Sequence, residues 1–131
     1  MNFNQFTIKA QEAVQEAVNL TQARGQQAIE PVHLLQSVMK VGENVTNFIF
    51  QKLGMNGQQI VLDKQIDSLP KVSGGEPYLS RETNEIFQKA TQYSKEMGDE
   101  FVSLEPMLLA LLTVKSTAST ILKDAGMTEK D

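Results

Sequence analysis

The sequence contains no cysteine, which excludes disulfides, thiolate nucleophiles and cysteine-based metal sites. Its single histidine, His33, leaves little material for acid–base or imidazole–metal chemistry. Positive charge is not in excess: 12 Lys and Arg stand against 16 Asp and Glu, a net charge of -4. A global basic footprint for nucleic acid or anionic lipid is therefore missing, and Lys89, Lys95 and Lys115 form no dense stripe. Long apolar runs are missing too. The most apolar stretch, Met107 to Val114, falls far short of the roughly 20 residues that cross a bilayer. The start, Met1-Asn2-Phe3-Asn4-Gln5, lacks the basic and apolar regions of a secretory signal, so a cytoplasmic location is expected.

What remains is an ordinary globular composition, with 40% hydrophobic and 21% charged residues over 131 positions. That length points to one domain or two very small ones, with enough chain to bury a core. Periodicity is helical nearly everywhere. Ala10, Ala13, Val14, Ala17 and Thr21 follow i, i+3, i+4 spacing behind Thr7, a candidate N-cap, and stop at Gly25. A second helix is expected from Pro31 through Leu34, Leu35 and Val38. A third is expected from Val45 to Leu53, stopped by Gly54-Met55, and a fourth along Leu62, Ile66 and Leu69, ending before Pro70. Pro70 to Pro77 holds two prolines and paired glycines and reads as a linker.

After the linker the pattern restarts. Leu79-Ser80 repeats Phe6-Thr7 at a displacement of 73 positions, and at that displacement Glu12 meets Glu85, Gln15 meets Gln88, Ala17 meets Ala90, Gly25 meets Gly98 and Leu35 meets Leu108. The pair Ala28-Ile29 meets Phe101-Val102, and after a one-residue slip Ile49 meets Ile121 and Gly54-Met55 meets Gly126-Met127. Chance alignment of amphipathic stripes is the competing account. The ordered landmarks favour duplication. The expected fold is all-α: two four-helix repeats, at about 6–69 and 79–131, related by a pseudo-two-fold and joined by a linker at 70–78 in one domain spanning 1–131. A solenoid is excluded, because its repeats are shorter and need about three units. Only Thr-Glu-Lys-Asp follows Gly126-Met127, so the second repeat's last helix is missing or cut short. That fits a chain cut from a longer protein, or a natural short form.

Catalytic chemistry is sparse. His33 falls in the first turn of the second helix beside Leu34 and Leu35, where the helix terminus disfavours imidazolium, so a neutral packed histidine is expected. Its counterpart is Pro106, which has no acid–base chemistry. Ser73-Gly74-Gly75 lacks the context of a nucleophile elbow and the lysine of a phosphate loop. Asp99, Glu100 and Glu105 cluster around a helix start, where acids commonly cap and complement the dipole. Met39, Met107 and Met127 fall on core faces, with Met55 and Met97 unassigned between packing and an adaptable binding surface. No catalytic, metal or cofactor site is expected, and a binding module is.

The order Phe6-Thr7, Gly25, Ile29-Glu30-Pro31-Val32-His33-Leu34-Leu35 resembles the first repeat of the Clp N-terminal domain family. Leu79-Ser80, Gly98-Asp99, Phe101-Val102-Ser103, Glu105 and the run from Leu108 to Leu112 resemble the second. Ile66-Asp67-Ser68-Leu69-Pro70-Lys71-Val72-Ser73-Gly74 and Gly98-Asp99 look like the ClpB disaggregase branch, and Pro106 departs from the ClpC branch, which usually repeats the histidine. The resemblance implies an accessory domain of a hexameric AAA+ protein, engaging unfolded or aggregated polypeptide and passing it to the ring. It implies that ATP and Mg belong to other modules, and that an Hsp70-type chaperone system is a functional partner. The alternative is an adaptor-docking domain of a ClpA- or ClpC-type unfoldase of an ATP-dependent protease.

By that resemblance, Thr7, Ser80, Asp99 and Glu105 are linked to chaperone function, and an apolar surface on the second repeat to client contact. Candidate groove residues are Phe87, Tyr93, Met97, Phe101 and Pro106. Phe87 and Phe101 have core packing as the competing role, and Thr7 and Ser80 have helix capping. Exposed apolar area distinguishes an unfolded chain, so such a surface would bind it weakly and gain avidity from several domains on one ring.

Overall fold

Thr7 caps the first helix as its position requires: its Oγ1 accepts from Ala10 N at 3.1 Å, and α1 runs Ile8–Ala23. In this computed structural model, residues 3–57, 60–72 and 74–128 are described. Two ends of α1 are thus defined chemically, because Gly25 takes a left-handed φ of 69° and Gln26 N donates back to Thr21 O at 2.9 Å. The stripe Ala10, Ala13, Val14, Ala17 and Thr21 is buried.

After the two-residue strand β1 (Ala28–Ile29), α2 (Pro31–Val41) packs against α1. Gly42 then turns the chain into α3 (Glu43–Lys52). A Cβ at Gly42 would collide with the Leu104 side chain, so glycine permits α6 to approach this corner. Helix α3 starts two residues ahead of the expected Val45. Helix α4 (Asp63–Asp67) is shorter than its apolar stripe, with Leu62 and Leu69 outside the helix, although Leu62 and Ile66 are buried. The hydrophobic spacing reports contact with the core here and not helical length.

Strand β2 (Tyr78–Leu79) precedes α5 (Arg81–Glu96), α6 (Leu104–Thr113) and α7 (Thr117–Asp124), making seven α-helices among the described residues. Ser80 caps α5 at 3.2 Å from Thr83 N, and α5 packs chiefly on α6. Each of the helices α1, α3, α5 and α7 ends on a left-handed glycine, at Gly25, Gly54, Gly98 and Gly126. The chain is mostly helical, with one departure from an all-α fold. Strands β1 and β2 pair in parallel, Ala28 with Tyr78 and Ile29 with Leu79, and an isolated parallel bridge joins Phe6 to Val102.

The segment expected as a linker is fastened down. Val72 N donates to Gly25 O (3.0 Å), Gln27 Nε2 to Glu76 O (3.1 Å) and Tyr78 N to Gln27 O (3.1 Å). Ser73 within it, and residues 129–131 at the end of the second expected repeat, lie outside the described residues. One core unites both halves, from Ala10, Leu34, Leu35 and Phe50 to Ile86, Met107, Leu111 and Leu122. Among the described residues no helix is long and apolar enough to cross a membrane.

Candidate functional site

Two of the residues singled out from sequence meet at one place. A depression of about 250 Å³ is lined by Thr7, Lys9, Val45, Ser103, Leu104 and Glu105, with a mainly apolar wall. The starts of α1 and α6 and the first turn of α3 build it. Thr7 Oγ1 is committed to Ala10 N, so its first contribution is the geometry of the α1 start. Glu105 is exposed in the first turn of α6, where the helix dipole favours a carboxylate. Lys9 reaches Glu12 at 3.7 Å, an exposed pair of little energetic weight.

Large exposed apolar side chains stand next to these lining residues in sequence. Ile8, between Thr7 and Lys9, is 77% exposed. Phe48, one turn along α3 from Val45, is 66% exposed. Helix α3 turns Thr46 and Phe50 inward, and Val45 and Phe48 share another face. Ile8, Val45 and Phe48 were not among the site residues expected from sequence. The available signal was an aromatic out of phase with the buried stripe of α3.

The remaining expected residues lie elsewhere. Phe87 is only 3% exposed and belongs to the core stripe of α5 with Thr83, Ile86, Ala90 and Ser94, which corrects its assignment to an open groove. Pro106 is corrected likewise: it is buried with Leu104, Met107 and Leu108 in α6, a helix covered on nearly every side. In the first turn its missing N–H costs no helical hydrogen bond. Ser80 is buried, capping α5 and donating to Thr83 Oγ1 at 2.9 Å. Tyr93 is half-buried; its hydroxyl bonds Thr113 Oγ1 at 2.8 Å, and Lys89 Nζ lies 5.4 Å from its ring centre. Met97, Asp99 and Phe101 are exposed along the α5–α6 connection and do not line the Thr7–Glu105 depression. Asp99 N and Ser94 Oγ hold that connection, to Ser94 O (2.9 Å) and Phe101 O (3.0 Å).

A second depression, of about 230 Å³, is lined by Glu30, Pro31, Val32, Glu82 and Thr117 together with Gln65, Ser68 and Leu69 of α4 and its tail, and Ser116. Beneath it lies a buried polar relay. Glu30 N donates to His33 Nδ1 (2.9 Å), which places the ring proton on Nε2, facing Gln26 Oε1 at 2.7 Å. Gln26 Nε2 in turn donates to Ile66 O at 2.6 Å. Burial, with the Arg24 guanidinium nearby, lowers the His33 pKa from 6.5 to about 4. Arg24 also bridges Asp63 (3.5 Å) and Asp67, so the loop after α1 grips α4 by charge and by amide. His33 is 0% exposed, neutral and structural, with no path to a substrate.

Among the described residues no three His, Asp or Glu side chains gather in a way that holds a metal. Gly75 lies so close to the Gln27 side chain that the glycine turn presents no open phosphate cradle. The fold and surface define a helical domain with a solvent-open apolar depression edged by polar residues. Residues 5–125 match the family described as the Clp repeat (R) N-terminal domain, and the chain belongs to that family.

Relatives and solved structures agree on the fold. The chain is 85% identical over its whole length to the chaperone protein ClpB of Bacteroides thetaiotaomicron, and 56% identical over 99% of its length to that of Porphyromonas gingivalis. It spans 15% of the length of each. Among crystal structures, the Hsp104 N-terminal domain from Candida albicans superposes with a TM-score of 0.83 at 19% identity, over 97% of this chain and 85% of that one. The N-terminal domain of the E. coli ClpV1 ATPase gives 0.76 at 20% identity, over 92% and 83%.

Proposed function

We propose that this chain is the substrate-engaging N-terminal domain of a ClpB-type, ATP-dependent disaggregase. It holds extended apolar segments of unfolded or aggregated polypeptide at the Ile8–Val45–Phe48 surface and passes them to a hexameric ring. The single observation that carries this reading is the grouping of Thr7 and Glu105 around an apolar depression whose neighbours Ile8 and Phe48 are exposed. Contiguous exposed apolar area marks an interaction surface, and an unfolded chain offers its complement. Lys9, Thr7 and Glu105 at the rim select orientation more than affinity. ATP and Mg belong to modules outside this chain, and an Hsp70-type system supplies its clients.

The two halves are proposed to be copies related by a pseudo-two-fold, and reciprocal bonds support this. Thr7 N donates to Val102 O at 2.9 Å while Ser80 N donates to Ile29 O at 3.2 Å, each donor and each acceptor 73 positions from its counterpart. Interchange of equivalent partners is what a two-fold relation produces. The two depressions correspond in the same way: Glu30, Pro31 and Val32 match Ser103, Leu104 and Glu105, and Glu82 matches Lys9.

The test is a fluorescence-anisotropy titration of the domain with a permanently unfolded, carboxymethylated protein. Phe48→Asp is expected to weaken binding about tenfold or more while the folded spectrum persists. Undiminished binding by a folded Phe48→Asp protein would overturn the reading.

A further inference from the structure

The connection between α3 and α4 holds a chemically distinctive pair, Asn56-Gly57. Of the chain's seven asparagines, only Asn56 is followed by glycine. An asparagine side-chain amide lies within reach of the next backbone nitrogen, and an intramolecular attack at that range is strongly favoured once the two atoms can meet. The side chain of the following residue hinders the approach, and glycine has none. Inside a helix the nitrogen is also held by its hydrogen bond to the carbonyl four residues back. Asn56 and Gly57 lie beyond the end of α3, and Asn56 is exposed. Both line a depression of about 360 Å³ beside Asn47 and Gln51. Among the described residues no backbone carbonyl accepts from the Gly57 amide; Gly57 O instead accepts from Ile60 N at 3.1 Å.

The fold cannot shed this glycine. A Cβ at position 57 would stand 2.8 Å from the Phe50 ring, and Phe50 is a core side chain, 2% exposed. Phe50 also holds the chain on the other side of Asn56, because its carbonyl accepts from Met55 N at 2.8 Å. Asn56 is therefore the single residue between two contacts to one buried phenylalanine. Neither contact uses the Gly57 amide, so the nitrogen next to the asparagine side chain has no backbone bond to break before it reacts.

We propose that Asn56-Gly57 is a self-modification site, at which the asparagine converts to aspartate and isoaspartate without an enzyme. The Gly57 nitrogen attacks Asn56 Cγ. An N–Cγ bond forms, the Cγ–Nδ2 bond breaks, and ammonia leaves carrying the proton from the Gly57 amide. Water then opens the cyclic imide. Entry at Cγ returns the original main chain with an aspartate; entry at the Asn56 carbonyl carbon leaves the main chain running through Cγ, as isoaspartate. Nothing is oxidised or reduced. Aspartate changes only the charge, whereas isoaspartate adds one carbon to the main chain between Met55 and Gly57, whose contacts with Phe50 fit the original spacing. The conversion thus loosens a core residue of α3, the helix that also carries Val45 and Phe48. This ageing of the domain is independent of client binding.

Peptide mapping by mass spectrometry, on the whole chain aged in warm, mildly alkaline buffer, reads the amide-to-acid conversion residue by residue. Asn56 is expected to convert about tenfold or more faster than Asn19, Asn47 and Asn84, whose helices α1, α3 and α5 must first open locally. Isoaspartate is expected as the larger product. Conversion of Asn56 no faster than that of the helical asparagines would overturn the site, and aspartate as the sole product would contradict the cyclic route. The separated isoaspartyl chain is expected to unfold at lower urea than the fresh chain. Asn56→Asp, which carries the charge without the added carbon, is expected to unfold with the fresh chain. An isoaspartyl chain as stable as the fresh one, or an equal loss in Asn56→Asp, would overturn the loosening of Phe50.

Discussion

The two depressions are built from corresponding helix starts and differ in what lies beside them. At Glu30, Pro31 and Val32, α4 and its tail contribute Gln65, Ser68 and Leu69, and the His33–Gln26 relay binds α4 from beneath. At Ser103, Leu104 and Glu105 the lining residues come from the starts of α1, α3 and α6, and the positions 73 residues on from His33 and Gln26 are Pro106 and exposed Asp99. The first depression is flanked by α4 and its tail. The second has a mainly apolar wall, and Ile8 and Phe48 are exposed on the helices that build it.

The largest expected effect breaks the α4 side. His33→Ala leaves Glu30 N and Gln26 buried without their partner, a loss of about 2–4 kcal/mol in urea unfolding. The same residue predicts a pH dependence. Unfolded, His33 takes a proton near pH 6.5; folded, only at about 4. Between those values the unfolded chain holds the extra proton, so stability rises with pH across the window and levels off above it. The full span is about 3 kcal/mol, read from denaturant melts at pH 4 and 7, and it disappears in His33→Ala.

Smaller effects sharpen the Phe48 side. Phe48→Asp should change stability by less than about 0.5 kcal/mol because the side chain is exposed, while removing client affinity as set out above. Thr7→Ala should cost about 1 kcal/mol through the lost cap, and Thr7→Ser should restore both stability and binding if capping is the residue's contribution. Smallest of all, Glu105→Gln should shift client affinity by about twofold, and less at high salt, as expected for a rim charge. Asp99→Asn, outside the lining of the depression, should leave it unchanged in the same titration.

Sequence carried the scaffold because its signals are local. Thr7 and Ser80 as caps, Gly25, Gly54, Gly98 and Gly126 as stops, and the burial of the α1 stripe all follow from one helix at a time. What it did not carry depends on neighbours far along the chain. Two-residue strands have no period to read, so the pairing of Ile29 with Leu79 was invisible. Phe87 was as apolar as a groove residue and as a core residue must be, and only the packing of Phe3 and Phe6 on it decides. Thr7 and Glu105 were legible one by one, through resemblance. Their meeting with Val45 required α3 to be placed against α6, which Gly42 allows by letting Leu104 approach.

The most direct measurement is a two-dimensional amide NMR titration of the chain with the carboxymethylated protein. The account predicts shifts clustered on Ile8, Lys9, Val45, Phe48, Leu104 and Glu105, with the Glu30–Val32 depression beside α4 unmoved. Shifts confined to that depression, or none at saturating client, would contradict it.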